Sequence, residues 1–431
     1  MDQMIKESNG RTLAIEESAC VVEVAPGRAL RSAKSSPIFD KATRFTRADE
    51  LRKAGLYPYF RCIESAQDTE VLIDGRKMLM LGSNSYMGLT NDPRVKEAVR
   101  KAVEEFGSGC AGSRFLNGTL KIHIELEEEI ADFMNKEAAL TFTTGMQANL
   151  GAIAAMVGKD DHVFIDRADH ASIVDGCRLG FGKLHKFRHN DMDNLERVLK
   201  QHDATGKLIV IDGVYSMEGD LADLPRIVDL ARKYHAGILV DDAHGIGVLG
   251  SHGQGTASHF DLEEETDLIC GTFSKSVASI GGFVAGDAPV IDYLKHHARA
   301  LIFSASMAPA CVAAARAAIR IIRDEPERRA KLWENTHYLK SELNRMGFDT
   351  GTSETPIIPI VIGDTIDCFQ FWSALHEAGV FVNPVVAPAT PPNRALIRLS
   401  VMATHTREQL TFALEAIERI GKRTGVLDTL R

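Results

Sequence analysis

Short apolar segments alternate with helical patterns through the middle of this chain. The apolar segments cover residues 162–166, 184–188, 208–212, 237–241, 267–270 and 282–285, and helical patterns at 192–202 and 221–234 lie between some of them. Each helical pattern is long enough to carry the chain back across a sheet, so the strands that it connects can run parallel. The alternation therefore predicts an α/β fold with a long, mostly parallel sheet that helices cover on both faces.

The sequence predicts four parts along the chain. Residues 1–45 show no sustained hydrophobic period and are an N-terminal extension of uncertain order, whereas residues 46–95 contain a hairpin with its turn at Asp74-Gly75. Residues 96–325 hold the alternating strands and helices of a large domain. Residues 326–431 begin with a charged helix and continue with short strands and helices, which predicts a smaller α+β domain.

Composition limits the classes of function. Of the 431 residues, 45% are hydrophobic and 25% are charged, as in ordinary globular proteins, and the net charge of −9 argues against nucleic-acid binding and against membrane attachment by charge alone. The 7 cysteines form no CxxC pair, so neither a zinc knuckle nor a disulfide framework is indicated and a reducing cytoplasm is expected. No apolar run approaches the roughly 20 residues that span a bilayer, and the N-terminus lacks a signal-peptide core, although peripheral membrane contact stays open.

A lysine follows one of the predicted strands, in the segment Gly271-Thr272-Phe273-Ser274-Lys275. Open α/β sheets place their chemistry at the carboxyl ends of strands. A lysine amine is almost fully protonated at neutral pH, but a bound aldehyde captures it as an imine, and the hydroxyls of Thr272 and Ser274 suit the phosphate of pyridoxal phosphate (PLP). The segment therefore indicates a PLP site, with a solvated loop lysine as the alternative.

Two other strands end in residues that suit the same cofactor. Asp241 closes the strand 237–241, where a carboxylate can pair with a protonated pyridine nitrogen, and His244 follows within reach of the ring hydroxyl. His170 follows the strand 162–166 and can stack on the ring. The alternatives are a solvated turn or a partial metal site for the Asp-x-x-His segment, and a structural hydrogen bond for the lone histidine.

The sequence also predicts anchors for a phosphate and a carboxylate. Thr143-Thr144-Gly145-Met146 leads into a helix whose free N-terminal amides can bind phosphate, although a plain turn with a cap is the alternative. Arg398 lies inside the apolar segment 396–400, where its guanidinium fits an amino-acid carboxylate unless it forms an internal ion pair. Arg114 and Arg188 are left as substrate-binding or structural charges.

Taken together, these motifs resemble the α-oxoamine synthases, PLP enzymes of the aspartate-aminotransferase-like fold, which is PLP-dependent transferase fold type I. The likeness runs from about residue 45 to the C-terminus. It rests on Ser83-Asn84-Ser85-Tyr86-Met87-Gly88-Leu89, His170-Ala171-Ser172, Gly213-Val214-Tyr215-Ser216-Met217-Glu218-Gly219-Asp220, Val240-Asp241-Asp242-Ala243-His244 and Gly271-Thr272-Phe273-Ser274-Lys275. These segments appear in the family's order and are highly specific together.

The resemblance implies roles for the matching residues. Lys275 is the Schiff-base lysine and the general base, Asp241 pairs with the pyridine nitrogen, and His244 approaches the ring oxygen while His170 stacks on the ring. The other implied cofactor ligands are Gly145, Met146, Ser216, Thr272, Ser274 and Ser304, the last lent by a second subunit, and the implied substrate ligands are Asn84 and Arg398. A homodimer with shared active sites follows, and no metal is implied.

The resemblance also implies the reaction, a decarboxylating condensation of an amino acid with an acyl-CoA. Within the family the chain is most similar to bacterial members that join L-serine to a long-chain acyl-CoA such as palmitoyl-CoA, giving 3-ketodihydrosphingosine in the first step of sphingolipid biosynthesis. One departure falls at Asn84-Ser85, where a similar bacterial enzyme has a tyrosine–asparagine pair, and Asn84 matches the asparagine of other family members.

Three alternative functions are also compatible with the sequence. The first joins glycine or alanine to a shorter acyl-CoA or acyl-carrier thioester, and the second is an aminotransferase or lyase on the same fold. The third is a non-catalytic partner subunit, which usually goes with loss of the lysine. The presence of Lys275, Asp241, His170 and His244 argues against the third alternative.

Overall fold

The computed structural model of the protein describes residues 37–202 and 206–429. Most of the predicted N-terminal extension, residues 1–36, lies outside the described residues. Helices α1 (Pro37–Thr43) and α2 (Arg47–Lys53) open the described part, and the sequence pattern did not predict α1. Strands β1 (Glu70–Ile73) and β2 (Arg76–Met80) pair antiparallel, so the predicted hairpin with its turn at Asp74-Gly75 is confirmed.

Seven strands form the large sheet at the centre of the molecule. They are β3 (Ala138–Phe142), β4 (His162–Asp166), β5 (Lys183–Phe187), β6 (Lys207–Asp212), β7 (Gly237–Asp241), β8 (Leu268–Thr272) and β9 (Gly282–Gly286). Their order across the sheet is β3-β9-β8-β7-β6-β4-β5, and the pairings are parallel except the two that β9 makes. The predicted mostly parallel sheet is confirmed.

Helices cover both faces of this sheet. They are α3 (Pro93–Phe106), α4 (Lys121–Phe133), α5 (Gly145–Met156), α6 (Ala171–Leu179), α7 (Met192–Gln201), α8 (Leu224–Tyr234), α9 (Thr256–His259), α10 (Ala288–His297), α11 (Arg299–Ile302) and α12 (Pro309–Asp324). Successive side chains of a strand point to opposite faces. In β4, Val163 and Ile165 pack in one buried cluster and Phe164 in the other, so both faces carry a hydrophobic core.

The C-terminal part contains α13 (Pro326–Met346), β10 (Ile357–Gly363), α14 (Thr365–Glu377), β11 (Val380–Phe381), β12 (Asn383–Val385), β13 (Ala395–Ser400), α15 (Arg407–Thr424) and α16 (Val426–Thr429). Strands β10, β13 and β12 form an antiparallel sheet, while β11 pairs parallel with β2 of the hairpin. The sequence pattern missed β11 and β12, which are short. The division into domains near residue 326 stays a prediction. Among the helices of the described residues, none is long and apolar enough to cross a membrane.

Polar residues close four neighbouring parallel strands at one edge of the large sheet. Asp166 ends β4, Asp212 ends β6, Asp241 ends β7 and Thr272 ends β8. Because the carboxyl ends of parallel strands meet at the same edge, this edge concentrates charged and hydroxyl groups in an otherwise apolar layer. It positions the candidate site.

Candidate active site

A cavity of about 240 Å³ lies at this edge of the large sheet. The predicted cofactor-binding residues that line it are Gly145, Met146, His170, Ser216, Asp241, His244, Thr272, Ser274 and Lys275. Asn149, Ser172 and Asp212 also line the cavity, and the sequence pattern assigns none of them a role. The structure thus brings together residues from five strand ends and from the helices that follow them.

Ser304 is not among the lining residues of this cavity. Its hydroxyl accepts a hydrogen bond from Nε2 of Gln147 in the same chain at 2.8 Å, one turn into α5. The neighbouring Ala305 carbonyl accepts a hydrogen bond from the Thr143 hydroxyl at 2.5 Å. The segment around Ser304 therefore lies beside the N-terminus of α5, and its assignment to the site of a second subunit stays a prediction.

The amine of Lys275 sits among charged groups in the cavity. Burial lowers the pKa of Lys275 below its ordinary value. The carboxylates of Asp241 and Asp212 act in the opposite direction, and the positive charge of Arg398 adds to the lowering. A lowered pKa increases the fraction of unprotonated amine, which is the form that attacks an aldehyde or accepts a proton.

Asp241 is buried at the end of β7 and is held by two hydrogen-bond donors. Its Oδ2 accepts a hydrogen bond from Nδ2 of Asn149 at 2.6 Å, and its Oδ1 accepts one from the backbone amide of Ala243 at 3.0 Å. Beside it, burial and then the charges of Asp241 and Asp169 raise the pKa of Asp212 well above its usual range, which favours the protonated form of Asp212. Asn149 was missed from the sequence because its contact with Asp241 spans 92 residues.

His170 is fixed by contacts on both its backbone and its ring. Its backbone amide donates to Oδ2 of Asp212 at 3.0 Å, and its Nδ1 lies 2.7 Å from the Ser172 hydroxyl. The backbone amide of Ser172 also donates to Nδ1 at 3.3 Å, so Nδ1 is an acceptor. Burial lowers the pKa of His170, and the neutral, flat ring is the form suited to stacking on an aromatic cofactor.

The N-terminus of α5 meets the end of β8 at one end of the cavity. The Thr144 hydroxyl caps α5 by accepting a hydrogen bond from the Gln147 amide at 3.2 Å. The hydroxyls of Thr272 and Ser274 lie 2.6 Å apart. A Cβ atom at Gly145 would fall 2.7 Å from Cβ of Thr272, so only glycine permits this close approach. Helix amides and two hydroxyls therefore face one space, as a phosphate requires.

Tyr86 connects three separate parts of the chain beside the cavity. Its hydroxyl lies 2.7 Å from Nδ1 of His244, donates to Oδ1 of Asn84 at 3.3 Å, and accepts from Nη2 of Arg398 at 3.4 Å. The structure thus brings the predicted substrate ligands Asn84 and Arg398 to His244 through Tyr86, to which the sequence pattern assigns no role. Tyr86 lies within the motif 83–89. A tyrosine in an apolar segment needs a hydrogen-bond partner for its hydroxyl, and this requirement is the sequence feature that could have indicated its role.

Arg398 is buried in β13 without a carboxylate partner among the described residues. Its Nε donates to the Ser216 carbonyl at 2.6 Å and its Nη1 to the Ser400 hydroxyl at 2.7 Å. The predicted alternative of an internal ion pair is therefore not observed in the described part of the chain. Arg114 does form one, because Nη1 lies 2.6 Å from Glu127, and Arg188 lies 2.6 Å from Asp191 on the surface.

The site residues fit PLP. The α5 amides with Thr272 and Ser274 would hold its phosphate, Asp241 would face its ring nitrogen, and Lys275 would meet its aldehyde. The Oδ1 atom of Asn149, which lines the cavity, is buried without a hydrogen-bond partner. A polar atom in this state is an acceptor available to a bound group.

Behind the site, His189 is clamped between two carboxylates. Its Nδ1 lies 3.1 Å from Asp166 and its Nε2 lies 2.9 Å from Asp220. Burial alone would lower the pKa of His189, but the hydrogen bonds and charges of Asp166 and Asp220 outweigh it and raise the pKa from 6.5 to about 10. A raised pKa means that protonated His189 stabilises the folded state at low and neutral pH.

We expect His189→Gln to destabilise the protein in a pH-dependent way. The stabilisation by the protonated ring is fully present below about pH 6.5 and is lost as the pH rises through about 10. Because the side chain is 38% exposed, the discounted loss in the free energy of unfolding is about 1 kcal/mol at the low-pH end. Urea unfolding at both ends of this range measures the difference, with His296→Gln as the surface control. A loss that is equal at the two pH values would contradict the assignment.

The comparisons with known proteins agree with this geometry. A family model described as aminotransferase class I and II matches residues 76–417, and the chain belongs to this family. Serine palmitoyltransferase of Sphingobacterium spiritivorum is 53% identical over 388 residues, which are 90% of this chain and 97% of that protein. 8-Amino-7-oxononanoate synthase of Thermosipho melanesiensis is 45% identical and covers 90% of this chain and 100% of that protein.

A solved structure supports the same placement. A structure of SPT with the PLP internal aldimine superposes with a TM-score of 0.87 at 38% identity, over 90% of this chain and 98% of that chain. The predicted α-oxoamine synthase resemblance and the predicted fold type I are confirmed.

Proposed function

We propose that this chain condenses L-serine with palmitoyl-CoA or a similar long-chain acyl-CoA, giving 3-ketodihydrosphingosine, CoA and CO₂. It is then a PLP-dependent acyltransferase acting at the first step of sphingolipid biosynthesis. The observation that carries the proposal is that Lys275 and Asp241 share one cavity in a chain 53% identical to a serine palmitoyltransferase. The presence of both residues also disfavours the non-catalytic partner subunit.

Residues in the cavity, together with Arg398 beside it, act on the amino acid in this proposal. PLP, when bound, supplies an aldehyde that takes up the amine of the amino acid and a cationic ring that draws electron density from its α-carbon. Arg398 binds the carboxylate of L-serine, and Nζ of Lys275 removes the proton from the α-carbon. The carboxylate of Asp241 would stabilise the positive charge on the ring nitrogen of the cofactor, toward which the electron density of the α-carbon moves. General-base catalysis of this kind contributes about 10²- to 10⁴-fold.

In this proposal the neutral rings of His170 and His244 position the cofactor and the substrate. Burial lowers the pKa of His244 well below its usual range, so this ring is neutral and hydrogen-bonds with Tyr86. His170 is held from behind by Asp212 and Ser172. Two neutral rings in fixed orientation exclude water from the reacting α-carbon. Because they carry no positive charge, they do not compete with the cofactor ring nitrogen for the carboxylate of Asp241.

We expect Arg398→Lys to raise the KM for L-serine by about 10- to 100-fold, because a bidentate, charge-assisted contact with the carboxylate is worth about 1.5–3 kcal/mol. The turnover at saturating serine changes much less. Steady-state kinetics with serine as the varied substrate measure both quantities.

Arg394→Lys is the matched control, since Arg394 lies just before the same strand and pairs with Glu218 at 3.1 Å. The proposed contact is wrong if the two lysine variants have the same KM for serine. A variant of Arg398 with reduced turnover and unchanged KM is equally incompatible with it.

The function is tested by pairing single amino acids with acyl-CoAs of different chain length. Purified protein is mixed with PLP and L-serine, glycine or L-alanine, and the visible absorbance band reports binding at the cofactor. Acyl-CoA is then added and free thiol measures the release of CoA. We expect release with L-serine and palmitoyl-CoA. A protein that binds L-serine but releases no CoA from palmitoyl-CoA disproves the proposal.

The second candidate is the condensation of glycine or alanine with a shorter acyl-CoA or acyl-carrier thioester. The 45% identity to 8-amino-7-oxononanoate synthase supports it, as does Asn84, which matches the asparagine of other family members. We favour L-serine as the substrate because the identity to serine palmitoyltransferase is higher, at 53%. The same assay distinguishes the two candidates by the amino acid that supports CoA release.

We infer a cytoplasmic homodimer with active sites near the subunit contact. Two exposed apolar side chains, Leu116 and Phe303, lie on loops that the Ser306 amide joins to the Gly112 carbonyl at 2.9 Å. Ser304 follows Phe303 directly, so a subunit docked on this apolar patch would meet Ser304. Light scattering of the wild type and of a Leu116→Glu/Phe303→Glu variant tests this contact. We expect the wild type to be a dimer and the variant to be a monomer.

A further inference from the structure

Three histidines converge at the end of the large sheet that faces away from the candidate active site. His162 is the first residue of β4, His185 lies in β5, and His202 follows the last residue of α7. The cavity lies at the carboxyl ends of the strands, four residues further along β4 at Asp166. For His162 that separation is about 13 Å along the strand, and none of the three histidines lines the cavity described above.

The fold dictates this convergence. In the parallel register of β4 and β5, His162 pairs with Lys183 and Phe164 with His185. Residues two apart share a face, so His162 and His185 point to the same side of the sheet. Helix α7, which connects β5 to β6 in sequence, packs on that side of the sheet. His202 follows the end of this helix and stacks on the His185 ring, with the ring centroids 3.7 Å apart.

The nitrogen atoms lie at separations that suit a metal ion. Nε2 of His185 and Nδ1 of His162 are 3.2 Å apart, and the ligand atoms of all three rings lie within 4.8 Å of one another. Two nitrogens bound to one tetrahedral ion at about 2.0–2.1 Å are about 3.3 Å apart. The first pair therefore has a chelating separation already, and the third ring offers a ligand atom within 4.8 Å of the other two.

The surroundings favour the neutral, metal-binding form of His162 and His185. None of the described carboxylates lies within ion-pair distance of them, so no acidic partner competes for their nitrogens. Burial first, and then His202, His162 and Lys183, lower the pKa of His185 to about 4, and burial also lowers that of His162. Lys183 and Lys207 near His162 weaken the attraction for a cation, whereas Asp161 strengthens it.

We propose that His162, His185 and His202 form a binding site for one divalent transition-metal ion of the Zn²⁺ type, separate from the cofactor site. Imidazole ligands select zinc and its neighbours over Mg²⁺ and Ca²⁺, which prefer oxygen. Three protein ligands leave a fourth position for water. The ion ties the edge strand β5 and the end of α7 to β4, which stabilises the sheet edge without taking part in the reaction.

The test compares Zn²⁺ binding by three forms of the PLP-loaded protein. These are the wild type, a His185→Asn/His202→Asn variant, and the control His296→Asn/His297→Asn, which removes two adjacent histidines from the exposed side of α10. Each is stripped with a chelator and titrated with Zn²⁺ against a chromophoric competitor. We expect wild type and control to bind one ion that the variant binds at least about tenfold more weakly. Zn²⁺ should also raise the unfolding temperature of wild type and control only.

Cobalt gives an independent readout, because a nitrogen-ligated, four-coordinate Co²⁺ ion absorbs visible light and the band should be missing from the His185/His202 variant. The chelator-stripped proteins must unfold at similar temperatures, and if the double variant does not, His202→Asn alone replaces it, since His202 is half-buried at the end of a helix. Equal Zn²⁺ affinity in all three forms, or loss of binding in the control as well, overturns the proposal and leaves a hydrogen-bonded histidine stack.

Discussion

Lys275→Ala is expected to lower the rate of CoA release by at least about 1,000-fold, because in the proposed mechanism one change removes both the covalent partner of the cofactor and the base that takes the α-proton. Among the described residues that line the cavity, Lys275 is the only lysine, and burial already lowers its pKa. Borohydride treatment followed by peptide mass analysis should locate a PLP adduct on Lys275 in the wild type and none at position 275 in the variant.

Lys295→Ala is the control for this experiment, since Lys295 lies on the exposed side of α10. It should retain wild-type activity and the adduct. The interpretation of the site fails if Lys275→Ala keeps more than a few percent of the activity, or if the wild-type protein shows no visible band with PLP. Retained L-serine binding by an inactive Lys275→Ala protein would separate loss of the base from loss of the fold.

Asp241→Asn is expected to reduce turnover by about 10²- to 5 × 10³-fold even at saturating PLP. Removing one partner of a buried ion pair costs about 3–5 kcal/mol, and each 1.36 kcal/mol is a factor of ten in rate. The substitution also leaves one acceptor oxygen where the carboxylate has two, so the side chain can accept a hydrogen bond from Nδ2 of Asn149 or from the Ala243 amide but not from both. The PLP dissociation constant, measured from the visible band, should rise together with the loss in turnover.

The matched control is Asp292→Asn, a carboxylate that is 72% exposed on α10. Near-wild-type turnover in Asp241→Asn would show that the carboxylate is not required opposite the ring. Unfolding temperatures of the two variants without PLP show whether the loss comes from the site, because a folding defect would appear in the cofactor-free protein as well.

The sequence predicted the parts of the fold that local patterns determine. Strand bounds at 162–166 and 237–241 are those observed, because buried parallel strands are continuous apolar runs that end where the polar loop begins. The same logic placed Asp241 and Lys275 at one edge. The two-residue strand β11 was missed, since its pairing with the hairpin depends on a partner about 300 residues away and not on its own sequence.

The supporting residues of the site were harder to predict for the same reason. Asn149 and Asp212 sit on elements whose own patterns are explained by helix and strand formation, and their contacts with Asp241 and His170 appear only in three dimensions. Arg398 illustrates a different limit. A buried guanidinium predicts a partner, but only the folded structure shows that the described partners are neutral and that no carboxylate pairs with it.

The hydroxyl of Tyr86 has a consequence for the order in which an active molecule is made. Its contact with His244 spans 158 residues, and its contact with Arg398 spans 312. During synthesis the aspartate and lysine loops leave the ribosome well before the strand that carries Arg398. A nascent chain can therefore bury its large sheet before Arg398 joins the proposed substrate site, and activity has to wait until the strand that carries Arg398 has been made.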